Sequence, residues 1–155
     1  MGAILRLIAF GRIPGGVNCD EAMGAMDALA LASYGTGRFG VPFPVHLQAW
    51  GYGQMSAGLC SLQALCIKLF GFSTVSIRLP MLFFSLLSMW LMYLLGKKLK
   101  DERLGLLLLA LTVIHPWHFM QSRWALDCNL FPHVFLLGFI CSLWEWKPKD
   151  ISIYP

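Results

Sequence analysis

Three carboxylates, Asp20, Glu21 and Asp27, stand close together near the start of the chain. A carboxylate at the right distance can take a proton from an attacking hydroxyl. Asn18 ahead of them is a good helix cap, and Glu21 three residues later completes a capping-box-like pattern. The run Cys19 to Ser33 is rich in Ala, Met and Leu, which favour helix, and Gly35 and Gly37 end it. Successive helical side chains diverge by about 100°, so Asp20 and Glu21 do not form a shared carboxylate pair. Asp27 lies on the Asp20 face but roughly 10 Å further along the axis, too far for both to bind one ion directly. It reads as a group that orients an acceptor or as a solvated face residue.

Arginine suits bidentate phosphate recognition, and Arg38, Arg78 and Arg123 are the candidates. Each has a structural alternative. Arg38 can stabilise its loop, Arg78 can anchor a helix at the membrane interface by snorkelling, and Arg123 can pair with Asp127 one helical turn on. Gln54 can donate a hydrogen bond but cannot neutralise a phosphate. His115 and His118 are spaced to share a metal, yet no third ligand is evident, and polar capping of a helix end accounts for both. The five cysteines are odd in number and lack CxxC spacing, which argues against a metal or disulfide framework.

The elements that must hold these residues belong to a membrane. The 155 residues are 57% hydrophobic and only 13% charged, whereas soluble domains carry about 25% charge. The net charge of +4 comes from dispersed basic residues, which excludes a nucleic-acid footprint. Spanning segments are expected over about 77–95, 104–118 and 130–144. Met55 to Phe70 is shorter and reads as a helix at the interface or packed among others, with a short span as the alternative. The first residues, to Phe10, read as the last turns of a spanning helix. Residues 36–54, with Pro42, Pro44 and several glycines, read as irregular, and Trp50 and Tyr52 as interface anchors or sugar-stacking rings. The lysines of the 96–103 loop and of the 147–155 tail place those segments in the cytoplasm. Residues 11–54 and 115–129 then share the extracytoplasmic side of a multi-pass plasma-membrane protein.

Three stretches in this order, "RIPGGVNCDEAMGAMDALALASYGTGR", "GFSTVSIRLP" and "HPWHFMQSRWALDCNLFP", resemble the GT-C membrane glycosyltransferases, of the protein O-mannosyltransferase and aminoarabinose transferase type. The resemblance covers about residues 4–146. It implies an all-α, polytopic helical membrane protein whose extracytoplasmic first loop carries interfacial helices. It implies inverting transfer from a polyprenyl-phosphate-sugar donor at the membrane, to an acceptor left unnamed. Asp20 stands at the matching position of the family's acidic motif, which implies the general base, with Glu21 beside it. Arg123 matches an "SR" element and Arg38 a "TGR" element, both suited to phosphate, while Gln54 stands where relatives carry lysine. No cofactor is certain, and a divalent metal is left open because some relatives use one. Such enzymes have more spanning helices than this chain, so it is expected to be an N-terminal part, inactive alone. The alternative is an inactive fragment or an accessory membrane subunit.

Overall fold

The computed structural model describes residues 2–51 and 53–144. Tyr52 and the tail, with Lys147 and Lys149, lie outside the described residues. In chain order the elements are α1 (Gly2–Leu7), α2 (Cys19–Tyr34), β1 (His46–Ala49), β2 (Gly53–Ser56), α3 (Ala57–Phe70), α4 (Thr74–Leu99), α5 (Glu102–Ile114), α6 (Pro116–Gln121) and α7 (Asp127–Trp144). The architecture is that of an all-α membrane protein with one small hairpin.

Helix α2 begins and ends for local reasons. The Asn18 side chain accepts from the Asp20 N–H, and Gly35, at φ 72°, returns its own N–H to the Leu31 carbonyl. The expected capping box does not close, because the Glu21 carboxylate turns into the interior instead.

Helices α4 and α7 are long and apolar enough to cross a membrane. Helix α4 overruns the expected 77–95 segment at both ends, reaching from Thr74 to Leu99. Gly96 does not stop it. That glycine lies against α5, where an added Cβ would sit 2.7 Å from Gly105 Cα. The basic 96–103 loop therefore shrinks to a tight turn in which Asp101 caps α5, accepting from Leu104 N–H at 2.8 Å. The stretch read as 104–118 forms two helices, α5 and α6. Pro116 lacks a donor and holds His115 extended at φ −65°, ψ 117°, which ends α5 at Ile114.

Residues 36–54 are more ordered than their composition suggests. β1 and β2 pair antiparallel, Leu47 facing Met55 and Gln48 facing Gln54. The turn between them passes through positive φ at Trp50 (37°) and Gly51 (85°). Leu47 is the hairpin's buried residue. It joins Ala25, Ala28, Cys60, Ala64, Ile67 and Ile77 in a core shared by α2, α3 and α4. Small side chains on α2 and α3 let those helices approach closely. A second cluster, Leu59, Met81, Ala125 and Leu130, fastens α7 to the same unit. Large apolar side chains remain exposed along the long helices, Phe83, Trp90, Phe131 and Phe135 among them, as a lipid-facing surface requires.

Candidate functional site

The three α2 carboxylates have three different environments. Asp20 is half-buried, and its Oδ1 accepts from the Trp50 indole N–H at 2.7 Å. Trp50 is brought there by the hairpin turn, so loop and helix start are tied at this point.

Glu21 is wholly buried. Its oxygens accept from Arg78 Nε at 2.7 Å and Nη2 at 2.8 Å, and from the Ala125 N–H at 3.1 Å. Arg78 also donates to the carbonyls of Pro14 and Gly16. The expectation that Arg78 snorkels to the interface is thus corrected. It is fully enclosed, and a charge can be so enclosed only because it is paired and each of its three nitrogens donates. A cavity of about 310 Å³ opens beside the pair, walled by Gly15, Gly16, Met120 and Trp124.

Asp27 is buried too, which corrects its reading as a solvated residue. Its Oδ1 accepts from the Arg38 N–H at 2.9 Å, and its Oδ2 lies 3.8 Å from Arg38 Nη1. Arg38 also donates to the Gln48 carbonyl, and its guanidinium lies over the Phe39 ring. Asp27 therefore pins the 36–48 segment against α2. Burial, and after it the Asp27 charge, pushes the neighbouring Cys60 thiol up to about 12, so it stays neutral. Gln54 is exposed on β2, away from these carboxylates' contacts.

Arg123 faces inward. It donates to the carbonyls of Leu5, Arg6, Ile8 and Ile13, closing the end of α1, and it lies over Phe119. Burial, then the Arg78 charge, lowers its pKa from the ordinary arginine value. It does not pair with Asp127, whose oxygens accept instead from Ser56 N–H at 2.9 Å and Cys128 N–H at 2.8 Å. The two polar segments 11–54 and 115–129 meet through Glu21 to Ala125 and Ile13 to Arg123.

Sequence reasoning passed over a polar chain deeper in the bundle. Arg6, fully buried, donates from Nη2 to His118 Nδ1 at 2.9 Å. His118 Nε2 meets Ser88 Oγ at 3.0 Å, and Ser88 Oγ meets His133 Nδ1 at 2.8 Å. His115 behaves as the expected cap, its Nδ1 accepting from the His118 N–H at 3.3 Å. The signal was weak: four residues from four helices, none in a recognisable spacing. No group of three or more metal-ligating side chains occurs among the described residues.

A family model described as dolichyl-phosphate-mannose-protein mannosyltransferase matches residues 59–146, from α3 through α7 and more than half of the chain. Asp20, Glu21, Asp27, Arg38 and Gln54 precede the matched stretch, and Arg123 lies inside it. No curated protein and no solved structure matches the chain.

Proposed function

The chain belongs to the dolichyl-phosphate-mannose-protein mannosyltransferase family, and on that premise we propose that it transfers a sugar from a polyprenyl-phosphate donor to an acceptor at the extracytoplasmic membrane face, with Asp20 as general base. The observation that carries the choice of base is the difference among the α2 carboxylates. Glu21 and Asp27 are buried and held by arginines, whereas Asp20 keeps an open side.

The chemistry follows from that opening. Among the described residues Trp50 occupies Oδ1 of Asp20 and nothing occupies Oδ2. Oδ2 is free to accept the acceptor's proton as its oxygen attacks the anomeric carbon. The bond to the phosphate breaks on the opposite side, so the sugar's configuration inverts and the electron pair leaves with the phosphate. A positioned cation or N–H group must meet that growing charge. Arg78 and Arg123 are turned inward onto carboxylate and carbonyl oxygens, and Arg38 is the arginine of the three that keeps partial exposure. Glu21 supports the base from behind by fixing the first turn of α2.

The test is sugar transfer in membranes from a polyprenyl-phosphate-sugar mixture, for the chain and its Asp20→Asn variant. Transfer that vanishes in the variant, with folding intact, supports the reading. Equal transfer removes Asp20 from the mechanism. No transfer from either favours the alternative of an inactive fragment or an accessory membrane subunit.

A further inference from the structure

Helix α4 crosses α5 where Gly96 meets Gly105, and α1 closes on the same pair at Gly2, where an added Cβ would lie 2.6 Å from Met89 Cε and 2.7 Å from Val113 Cγ2. Beside these contacts the three helices leave an apolar groove of about 440 Å³. Leu86, Trp90 and Tyr93 form its α4 wall, Leu106 and Leu109 its α5 wall, and Ala3 its α1 edge. Trp90 and Leu106 are more than half exposed, so the groove opens outward from the bundle.

The groove runs toward unpaired positive charge. Leu86, Trp90, Tyr93 and Lys97 succeed one another by four, three and four residues, so they lie in one row along α4. The close approach at Gly105 involves that row: a Cβ there would lie 3.1 Å from Tyr93 Cδ2 and 3.2 Å from Lys97 N. On α5, Arg103 stands one turn before Leu106. Lys97, Lys100 and Arg103 are exposed, and none pairs with an acid among the described residues. The two acids of the turn are engaged elsewhere: Asp101 caps α5, and Glu102 accepts from the Tyr93 hydroxyl at 3.2 Å. Lys98 turns toward the Trp144 ring on α7. Bases at the end of an apolar span stand at head-group level.

We propose that this groove binds an acidic glycerophospholipid of the surrounding bilayer, one acyl chain lying along Trp90 and Leu106 and the head group on Lys97, Lys100 and Arg103. A soluble anion would meet the bases and leave the groove empty. A zwitterionic lipid would fill the groove and leave the bases without a net counter-charge. A lipid with an acidic head satisfies both features at once. This lipid is a structural partner and not a substrate. Lys97 lies 19 residues beyond Arg78 on the same helix, roughly 28 Å along its axis, so the groove ends at the far side of α4 from the carboxylates of α2. An acyl chain seated here touches α1, α4 and α5 together and fastens the short α1 to the long helices.

The test is native mass spectrometry of the full chain in detergent, titrated with dioleoyl phosphatidylglycerol and dioleoyl phosphatidylcholine, which share their acyl chains and differ in head-group charge. Each base near an acidic head group contributes about fivefold, so we expect phosphatidylglycerol to bind at least about tenfold more tightly. The exposed triple variant Lys97→Gln, Lys100→Gln, Arg103→Gln should bring the two affinities together while phosphatidylcholine still binds, which also reports an intact groove. Ala3→Trp, which fills the α1 edge, should weaken both lipids in a chain that keeps the parent's helical content by circular dichroism. Equal affinity for the two lipids in the unaltered chain, a preference that survives the triple variant, or binding untouched by Ala3→Trp would overturn the site. Displacement of phosphatidylglycerol by inorganic phosphate at similar concentration would assign the bases to a soluble anion, and a dimer that takes up neither lipid would assign the face to a second copy of the chain. Both results overturn the proposal, and none of these outcomes depends on sugar transfer.

Discussion

Glu21 and Arg78 lie 57 positions apart in sequence and meet in a two-point ion pair from which water is excluded. The pair joins the start of α2 to the first turns of α4, and through Ala125 it also holds the strand of chain before α7. Removing one member leaves the other charged and enclosed, at a cost of about 3–5 kcal/mol. Glu21→Ala and Arg78→Ala should each unfold the chain at markedly lower temperature or denaturant. The double replacement by similar-sized neutral residues should lose less than the sum, and denaturation of all three in detergent checks this.

The Asp20 contact to Trp50 makes a different prediction. Trp50→Phe keeps a ring but removes the indole donor that aims the carboxylate. A bond to a charged group is worth about 1.5–3 kcal/mol, and this one is partly in water, so transfer should fall about tenfold or less. Stability should hardly change, because the ring at 50 is itself exposed. A rate equal to the parent's would mean that Asp20 needs no such partner.

Much of the fold is legible in residues that act locally. Asn18 and Gly35 bound α2, and the apolar lengths of α4 and α7 stand out against a sparsely charged chain, whereas the expected 104–118 segment runs through the Pro116 that divides α5 from α6. The destinations of long side chains were not legible. Glu21 satisfies a capping pattern on paper, and only a partner on α4 explains why it abandons it. Asp27 looks like one polar residue on a helix face until the 36–48 segment folds over it. The Arg123 i,i+4 pairing with Asp127 loses to four carbonyls between Leu5 and Ile13, in and after the last turn of α1, which no local rule brings near. The hairpin escaped notice because glycine and proline mask a weak strand alternation carried by Leu47 and Met55. The site was therefore visible as a set of residue types, and its division into one open and two committed carboxylates was not.

Gly96 and Gly105 give a packing prediction. Their backbones are so close that any Cβ at Gly96 must displace the α5 main chain. Gly96→Val should push α4 and α5 apart and destabilise the bundle by about 1–3 kcal/mol, as overpacking does elsewhere. Gly138, with open space around it, is the control: Gly138→Ala should be nearly neutral in the same melt.

Cys60 should resist thiol reagents that modify the exposed Cys19 and Cys128. Its pKa is raised from 9.0 to about 12 by burial and then by Asp27. The attacking species is the thiolate, so labelling of Cys60 by a maleimide should stay negligible at pH 8 while the other two react, as mass spectrometry can count. The sign for stability follows from the same shift. Folding favours the protonated thiol, so its contribution is intact below the unfolded value near 9 and is lost as pH rises toward about 12. Cys60→Ser should remove that alkaline loss from the pH profile of unfolding.

Asp27 closes the set, because two substitutions separate its roles. Asp27→Asn keeps an oxygen to accept the Arg38 N–H and discards the charge facing Arg38 Nη1 at 3.8 Å. That charge contact is long and half-open to solvent on the arginine side, so its loss should cost little, about 1 kcal/mol or less. Asp27→Ala also removes the acceptor and leaves a part-buried N–H without its partner, which costs about 1 kcal/mol more. The greater effect should be local. Without its anchor the 36–48 segment should detach from α2, and the hairpin that carries Trp50 to Asp20 should follow. Limited proteolysis in detergent should cut Asp27→Ala within 36–48 well before the parent or Asp27→Asn, and sugar transfer should fall in the same order. Faster cutting without lost transfer would show that Trp50 reaches Asp20 independently of this anchor.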